Sequence, residues 1–282
     1  MIKITYVTIT FQAAKVLQRT LDSVLEQDYP EITHLIIDGA STDGTIEMVN
    51  DYIERSNASE NGHKVLLMSE PDNGIYDAMN KGLRSLDGDY VCFLNAGDFL
   101  PAPDIASRIN VQCSMFNVQC SMVNGQCSMF NGQCSMVNGQ SPAVLYGDTD
   151  IVDSEGRFLH HRRLAPPEHL TWKSFRHGML VCHQAFYART DFAIATPYNQ
   201  KYRYSADVDW CIRIMKAAAK ENVPLLNLHM VVANYTEEGQ TTIHHRESLI
   251  ERYKVMESHY GRISTFLMHC RFAVRAVFKK SN

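Results

Sequence analysis

The sequence contains no window approaching the roughly 18 uninterrupted apolar residues of a membrane-spanning helix. It has no excess of positive charge either. A formal net charge of −4 over 282 residues gives no electrostatic reason to expect nucleic acid as a partner. The start, Met1 to Val7, lacks the basic region and long apolar core of a secretory signal, so the expected compartment is the cytoplasm. Eight cysteines are present, yet none shows the close-paired spacing of a structural zinc site. Cys113, Cys120, Cys127 and Cys134 recur every seven residues inside one repeat. Cys92, Cys182, Cys211 and Cys270 stand singly in apolar contexts and read as small core residues.

The repeat itself lacks charge. The unit Gln-Cys-Ser-Met-(Phe/Val)-Asn-(Gly/Val) is written four times over residues 112–140. Ser and Asn in every unit, and Gly in most, oppose a helix. A heptad seam of Cys113, Phe116, Cys120 and Val123 is the competing reading. The expectation is a mobile surface insertion over residues 106–140, to which no chemistry is assigned.

What is present reads as α/β. Hydrophobic residues at 45% and charged residues at 21% are ordinary for a globular chain of this size. Apolar strands are expected at Lys3–Thr10, His34–Asp38, Val65–Met68 and Tyr90–Leu94, alternating with helices marked by Leu17/Leu21/Val24, Ile46/Val49/Ile53 and Ala78/Met79/Leu83. Such alternation favours a parallel sheet covered by helices, with ligands at the carboxyl ends of its strands. Thr10, Asp38 and Asp98 fall at those ends. After the repeat, the pattern predicts strands at Val144–Gly147, Ile151–Val152, Gln184–Arg189 and Leu225–Val232. Ser154-Glu155-Gly156 reads as a hairpin turn, and helices are expected at Glu168–Phe175, Ala206–Ala219 and His244–Tyr260. The tail from Phe266 to Lys280 mixes apolar and basic residues. Packing on the domain with a solvated face is the expected arrangement, and peripheral contact with an anionic membrane at its inner face is the alternative.

Several strings resemble family 2 glycosyltransferases, the inverting nucleotide-sugar enzymes of the GT-A fold. They are Val7-Thr8-Ile9-Thr10, Ile36-Ile37-Asp38-Gly39-Ala40-Ser41-Thr42-Asp43-Gly44-Thr45, Ser69 to Gly82, Phe93-Leu94-Asn95-Ala96-Gly97-Asp98, His183-Gln184 and Ser205 to Trp210. The similarity covers about residues 1–105 and 141–245. It implies a mostly parallel central sheet flanked by helices. Residues 1–105 would form the nucleotide-sugar half and 141–243 the acceptor half of one domain, with a helical tail over 244–282.

Site roles follow from the same resemblance. Asp38 is the expected nucleotide-base residue, with an Asx-turn carboxylate as the alternative. Thr8 and Thr10 border the nucleotide. Gly74 allows close backbone approach where helix N–H groups face phosphate. Asp77 and Lys81 contact the donor or pair with each other one helical turn apart. Asp98 is the expected ligand of Mg²⁺ or Mn²⁺. In the turn where the family usually writes further aspartates, Asn95 and Gly97 stand instead, and Asn95 is an expected donor contact. Asp207 is the expected base that deprotonates the acceptor hydroxyl. His183, Gln184 and His244 are weaker candidates for acceptor or diphosphate contacts.

The implied reaction moves a sugar, from a UDP-sugar in the first instance, to a glycan or lipid-linked acceptor in surface polysaccharide assembly. The competing classes are a sugar nucleotidyltransferase and a non-catalytic nucleotide-sugar binder. The first should carry a Gly-rich basic loop after strand one, which Thr10 to Lys15 does not supply.

Overall fold

The computed structural model describes residues 1–123, 141–237 and 245–279. The chain opens with strand β1 (Ile4–Thr10), helix α1 (Leu17–Leu25), β2 (Ile32–Asp38), α2 (Thr45–Ser59), β3 (Lys64–Ser69), α3 (Ile75–Arg84) and β4 (Tyr90–Phe93). Every residue of β1, β2 and β4 is buried, as expected of strands covered on both faces. The edge strand β3 is only half buried.

Helix α4 (Ile105–Val123) follows, then β5 (Val144–Val152), β6 (Phe158–His161), β7 (Phe186–Arg189), α5 (Thr190–Ala195), α6 (Ala206–Glu221), β8 (Leu225–Thr236), α7 (His245–Tyr260) and α8 (Arg262–Lys279). The strands form one sheet in the order β3-β2-β1-β4-β7-β5-β6, with β8 on the other side of β5. Strand β1 pairs in parallel with β2 and β4, β2 with β3, and β5 with β8. Strand β7 runs antiparallel to both β4 and β5, so β5 and β8 point the same way as β1 to β4. The carboxyl ends therefore gather at one edge.

Several expectations are corrected. Residues 144–152 form one strand rather than two short ones, and β8 continues to Thr236, which carries it to the end of β4. Glu168–Phe175 is not a helix. Only Ser174–His177 makes a 3-10 turn there. The repeat does not begin as loose surface chain. Its first unit lies in α4, where Cys113 is fully buried and Gln112 donates to the Leu228 carbonyl at 2.8 Å. A small thiol beside Tyr90 fits the core, and tertiary packing overrides the weak helix propensity of the unit. The second unit continues α4 as far as Val123, and residues 124–140 lie outside the described residues. Cys92 and Cys211 are buried as expected, whereas Cys182 is half-buried and Cys270 is exposed.

Candidate active site

The carboxyl ends of the parallel strands open into a cleft of about 1810 Å³. Thr10, Phe11, Asp72 to Asp77, Asn95 to Asp98, His183, Gln184, Asp207, Thr236 and Arg252 are among the residues that line it.

Asp98 follows β4 in a turn closed by its own N–H to the Asn95 carbonyl. Its carboxylate accepts from Gln184 Nε2 at 2.7 Å and from the Thr236 N–H at 3.1 Å. Thr20 on α1 donates to its carbonyl at 2.7 Å, and Thr236 Oγ1 donates to the Gly97 carbonyl. Three elements thus fix one buried carboxylate without giving it a cation. Burial pushes its pKa up to about 7, against the two neutral donors. Two more oxygens of this cluster, Asn95 Oδ1 and Gln184 Oε1, are buried without a donor. Among the described residues no three His, Cys, Asp or Glu side chains cluster as a metal cage. The oxygen set around Asp98 instead suits a hard cation that keeps waters and shares a phosphate-bearing ligand.

His183 and Gln184 form a short 3-10 turn before β7. Gln184 reaches Asp98, while His183 Nε2 lies 3.3 Å from Asn95 Nδ2 and its Nδ1 lies 3.7 Å from Asp207 Oδ2. Burial lowers the His183 pKa, partly offset by Asp207, which favours the neutral ring. Asp207, in the first turn of α6, accepts from Tyr76 OH at 3.2 Å. The turn thereby joins the two halves of the cleft.

Asp38 behaves differently from its sequence reading. It is fully buried and accepts four hydrogen bonds: from Thr10 Oγ1, from the Ser41 hydroxyl and N–H, and from Ser69 Oγ at 2.7 Å. Burial alone would raise its pKa, but the donors from Ser41, Ser69 and Thr10 outweigh it and hold the carboxyl below its usual range. A carboxylate has about four acceptor sites, all taken here, and Asp38 does not line the cleft, which matches the Asx-turn alternative. Its effect passes through the loop instead, because Ser41 Oγ in turn accepts the Gln12 N–H at 2.8 Å. This fixes the loop that carries Phe11, whose ring is 65% exposed at the cleft. Gly39 lies between Phe11 and Asp72, where an added Cβ would meet the Asp72 carboxylate at 2.7 Å.

Other expected residues are placed elsewhere. Thr8 is buried, bonded to the Leu94 carbonyl and to His34, and does not line the cleft. Lys81 does not pair with Asp77. It turns to Glu70 at 2.9 Å and to the Pro71 carbonyl, away from the cleft. Gly74, at φ +110°, does open α3 at the cleft. Two N–H groups just before the helix are claimed: Asp72 takes that of Gly74, and Asp77 takes that of Asn73. Two carboxylates at this helix start disfavour a phosphate and suit hydroxyl groups. Asp77 also accepts from Gln200 at 2.9 Å. His244 lies outside the described residues.

The structure adds residues that motif reading did not single out. Arg162, Arg203 and Arg252 line the far side of the cleft. Glu251 on α7 accepts the N–H groups of Arg203, Tyr204 and Ser205 at 2.6–2.8 Å, holding the segment that leads to Asp207. The Tyr202-Arg203-Tyr204 run before Asp207 was the one sequence signal for this side. Glu251 gave none, since its partner is set by helix packing. Asp209 points away from the cleft, paired with Arg213 at 2.6 Å and His259 at 2.8 Å.

Residues 5–123 match the family model described as glycosyl transferase family 2. A PGL/p-HBAD biosynthesis glycosyltransferase of Mycobacterium tuberculosis is 29% identical over 232 residues, covering 82% of this chain and 75% of its own length. Among solved structures, Staphylococcus aureus TarS residues 1–349 with UDP-GlcNAc align at TM-score 0.59 and 16% identity, covering 90% of this chain and 64% of that one. Against the longer TarS chain, this chain spans 38% of the length, at TM-score 0.61. The mannosyltransferase PcManGT from Pyrobaculum calidifontis, in complex with GDP-Man and Mn²⁺, aligns at TM-score 0.56 and 16% identity over 98% of this chain and 75% of its own. These likenesses identify the mostly parallel sheet and its helices as a GT-A fold.

Proposed function

We propose that this chain is a family 2 glycosyltransferase that transfers a sugar from a uridine diphosphate donor to a hydroxyl acceptor with inversion. The observation that carries the reading is one cleft with two carboxylates of different setting, Asp98 and Asp207, joined by the His183–Gln184 turn. The setting we favour is glycan or surface polysaccharide assembly on a lipid-linked or glycan acceptor.

Phe11 offers its exposed ring to the base, on the loop that Asp38 locks through Ser41. Asp72 and Asp77 accept hydroxyl groups of the ribose or donor sugar. Asp98, with Asn95 beside it, would hold Mg²⁺ or Mn²⁺ together with the diphosphate. The bound cation would supply charge neutralisation to the leaving group. Asp207, oriented by Tyr76, takes the proton from the acceptor hydroxyl as its oxygen bonds to the anomeric carbon. The bond from that carbon to the nucleotide oxygen breaks on the opposite face. Neutral His183 and Gln184 keep the two carboxylates in register without adding charge.

A panel of nucleotide sugars tests the reading by following release of the nucleoside diphosphate. UDP-sugars should be consumed and products should carry inverted anomeric configuration. Retention of configuration, or no turnover with any donor, would overturn it.

A further inference from the structure

Helix α8 presents an apolar face that no described residue covers. Ile263 is 79% exposed, Phe266 60% and Leu267 61%. Cys270 is exposed as well. These positions follow i, i+3, i+4, i+7 spacing, so they form one stripe. In the sequence the same spacing continues through Val274, Val277 and Phe278. The opposite side faces the protein: Thr265 is 2% exposed, and His269 packs edge-on against Tyr253 of α7 with centroids 4.8 Å apart. On α7, Leu249 and Ile250 are each 51% exposed and line a shallow hollow with Tyr253 and His269.

Charge indicates what covers this face. From Arg262 to Asn282 the sequence holds five cations and no acid, within a chain of net charge −4. Arg262 is occupied by Glu257 at 2.8 Å. Arg271 is exposed, and Arg275, Lys279 and Lys280 follow it without an acid in their own stretch. An apolar stripe bordered by cations is the signature of a helix lying in the interface of an anionic bilayer. No helix among the described residues is long and apolar enough to cross a membrane.

We propose that α8 and the adjoining turn of α7 dock this protein onto an anionic lipid surface, with Ile263, Phe266 and Leu267 inserted and Arg271 at the headgroups. The same α7 carries Glu251 and Arg252 to the cleft. Docking therefore sets the side of the site that holds Asp207 next to the membrane. The docking claim is independent of the transfer reaction.

Flotation of the full chain with phosphatidylcholine vesicles, with and without about one-third phosphatidylglycerol, tests it. The protein should float with the anionic vesicles, lose binding as salt rises, and bind neutral vesicles weakly. Phe266→Asp with Leu267→Asp should weaken binding at least about tenfold while the thermal melt is unchanged, since both side chains are exposed. Arg271→Glu should weaken binding to anionic vesicles only. Equal binding to neutral and anionic vesicles would overturn the proposal. So would a dimer that the Phe266→Asp variant dissolves without any vesicle binding by the wild type.

Discussion

Asp38 and Asp98 are both buried aspartates at the carboxyl end of the parallel sheet, Asp38 closing β2 and Asp98 in the turn beyond β4 on the other side of β1, and the protein treats them in opposite ways. Asp38 receives four hydrogen bonds and is held below the usual carboxylate range. Asp98 receives two, both from neutral groups, and burial pushes it up to about 7. The first carboxylate is complete within the fold and braces a loop. The second is held in place by neutral donors alone, which is why we propose it as the cation ligand. Residue type and the edge of the sheet are the same, and the donor count separates the two settings.

Asp207 stands outside this pair, and changing it should have the largest effect. Asp207→Asn should lower kcat about 10²–10⁴-fold while UDP affinity stays within about twofold. Comparable losses in both would make Asp207 a donor contact. Next comes the brace: Asp38→Asn should destabilise the fold by about 2–3 kcal/mol in urea unfolding, because the new amide opposes hydroxyl and N–H donors. Its pH dependence sharpens the contrast. A carboxyl with a depressed folded pKa contributes stability above its ordinary value, near 4, and loses it as pH falls toward the folded value. The wild type should therefore lose stability below about pH 4 more steeply than Asp38→Asn. Parallel pH profiles would deny Asp38 that role.

Phe11→Ala should weaken UDP binding by about 1–2 kcal/mol, in the range of base–aromatic stacking, without moving the melt. An unchanged affinity would place the base elsewhere. The smallest effect is expected at Lys81. Lys81→Met removes the link to the half-exposed Glu70 and should cost no more than about 1 kcal/mol of stability, leaving UDP affinity within about twofold. A large loss of UDP affinity would restore the donor role read from its motif.

The four strand–helix alternations before residue 100 were legible because strands buried on both faces are continuous apolar runs. The motif aspartates were legible as positions but not as roles. Whether Asp38 meets a ligand or Ser41, Ser69 and Thr10 depends on side chains brought from three strand ends, which no local pattern encodes. The pairing of Lys81 misled for a related reason: helical spacing pointed to Asp77, while the tertiary approach of Glu70 decided it. Glu251 was silent in sequence because its partners lie 46–48 residues away across a helix interface. The repeat misled in the other direction, since a low-propensity unit still donates Cys113 to the core.

Calorimetric titration of UDP with and without Mn²⁺, run on the wild type, Asp98→Ala and Asp38→Asn, tests the division between the two carboxylates most directly. Mn²⁺ should tighten UDP binding in the wild type and in Asp38→Asn but not in Asp98→Ala. Mn²⁺-independent binding in the wild type, or an undiminished Mn²⁺ effect in Asp98→Ala, would contradict it.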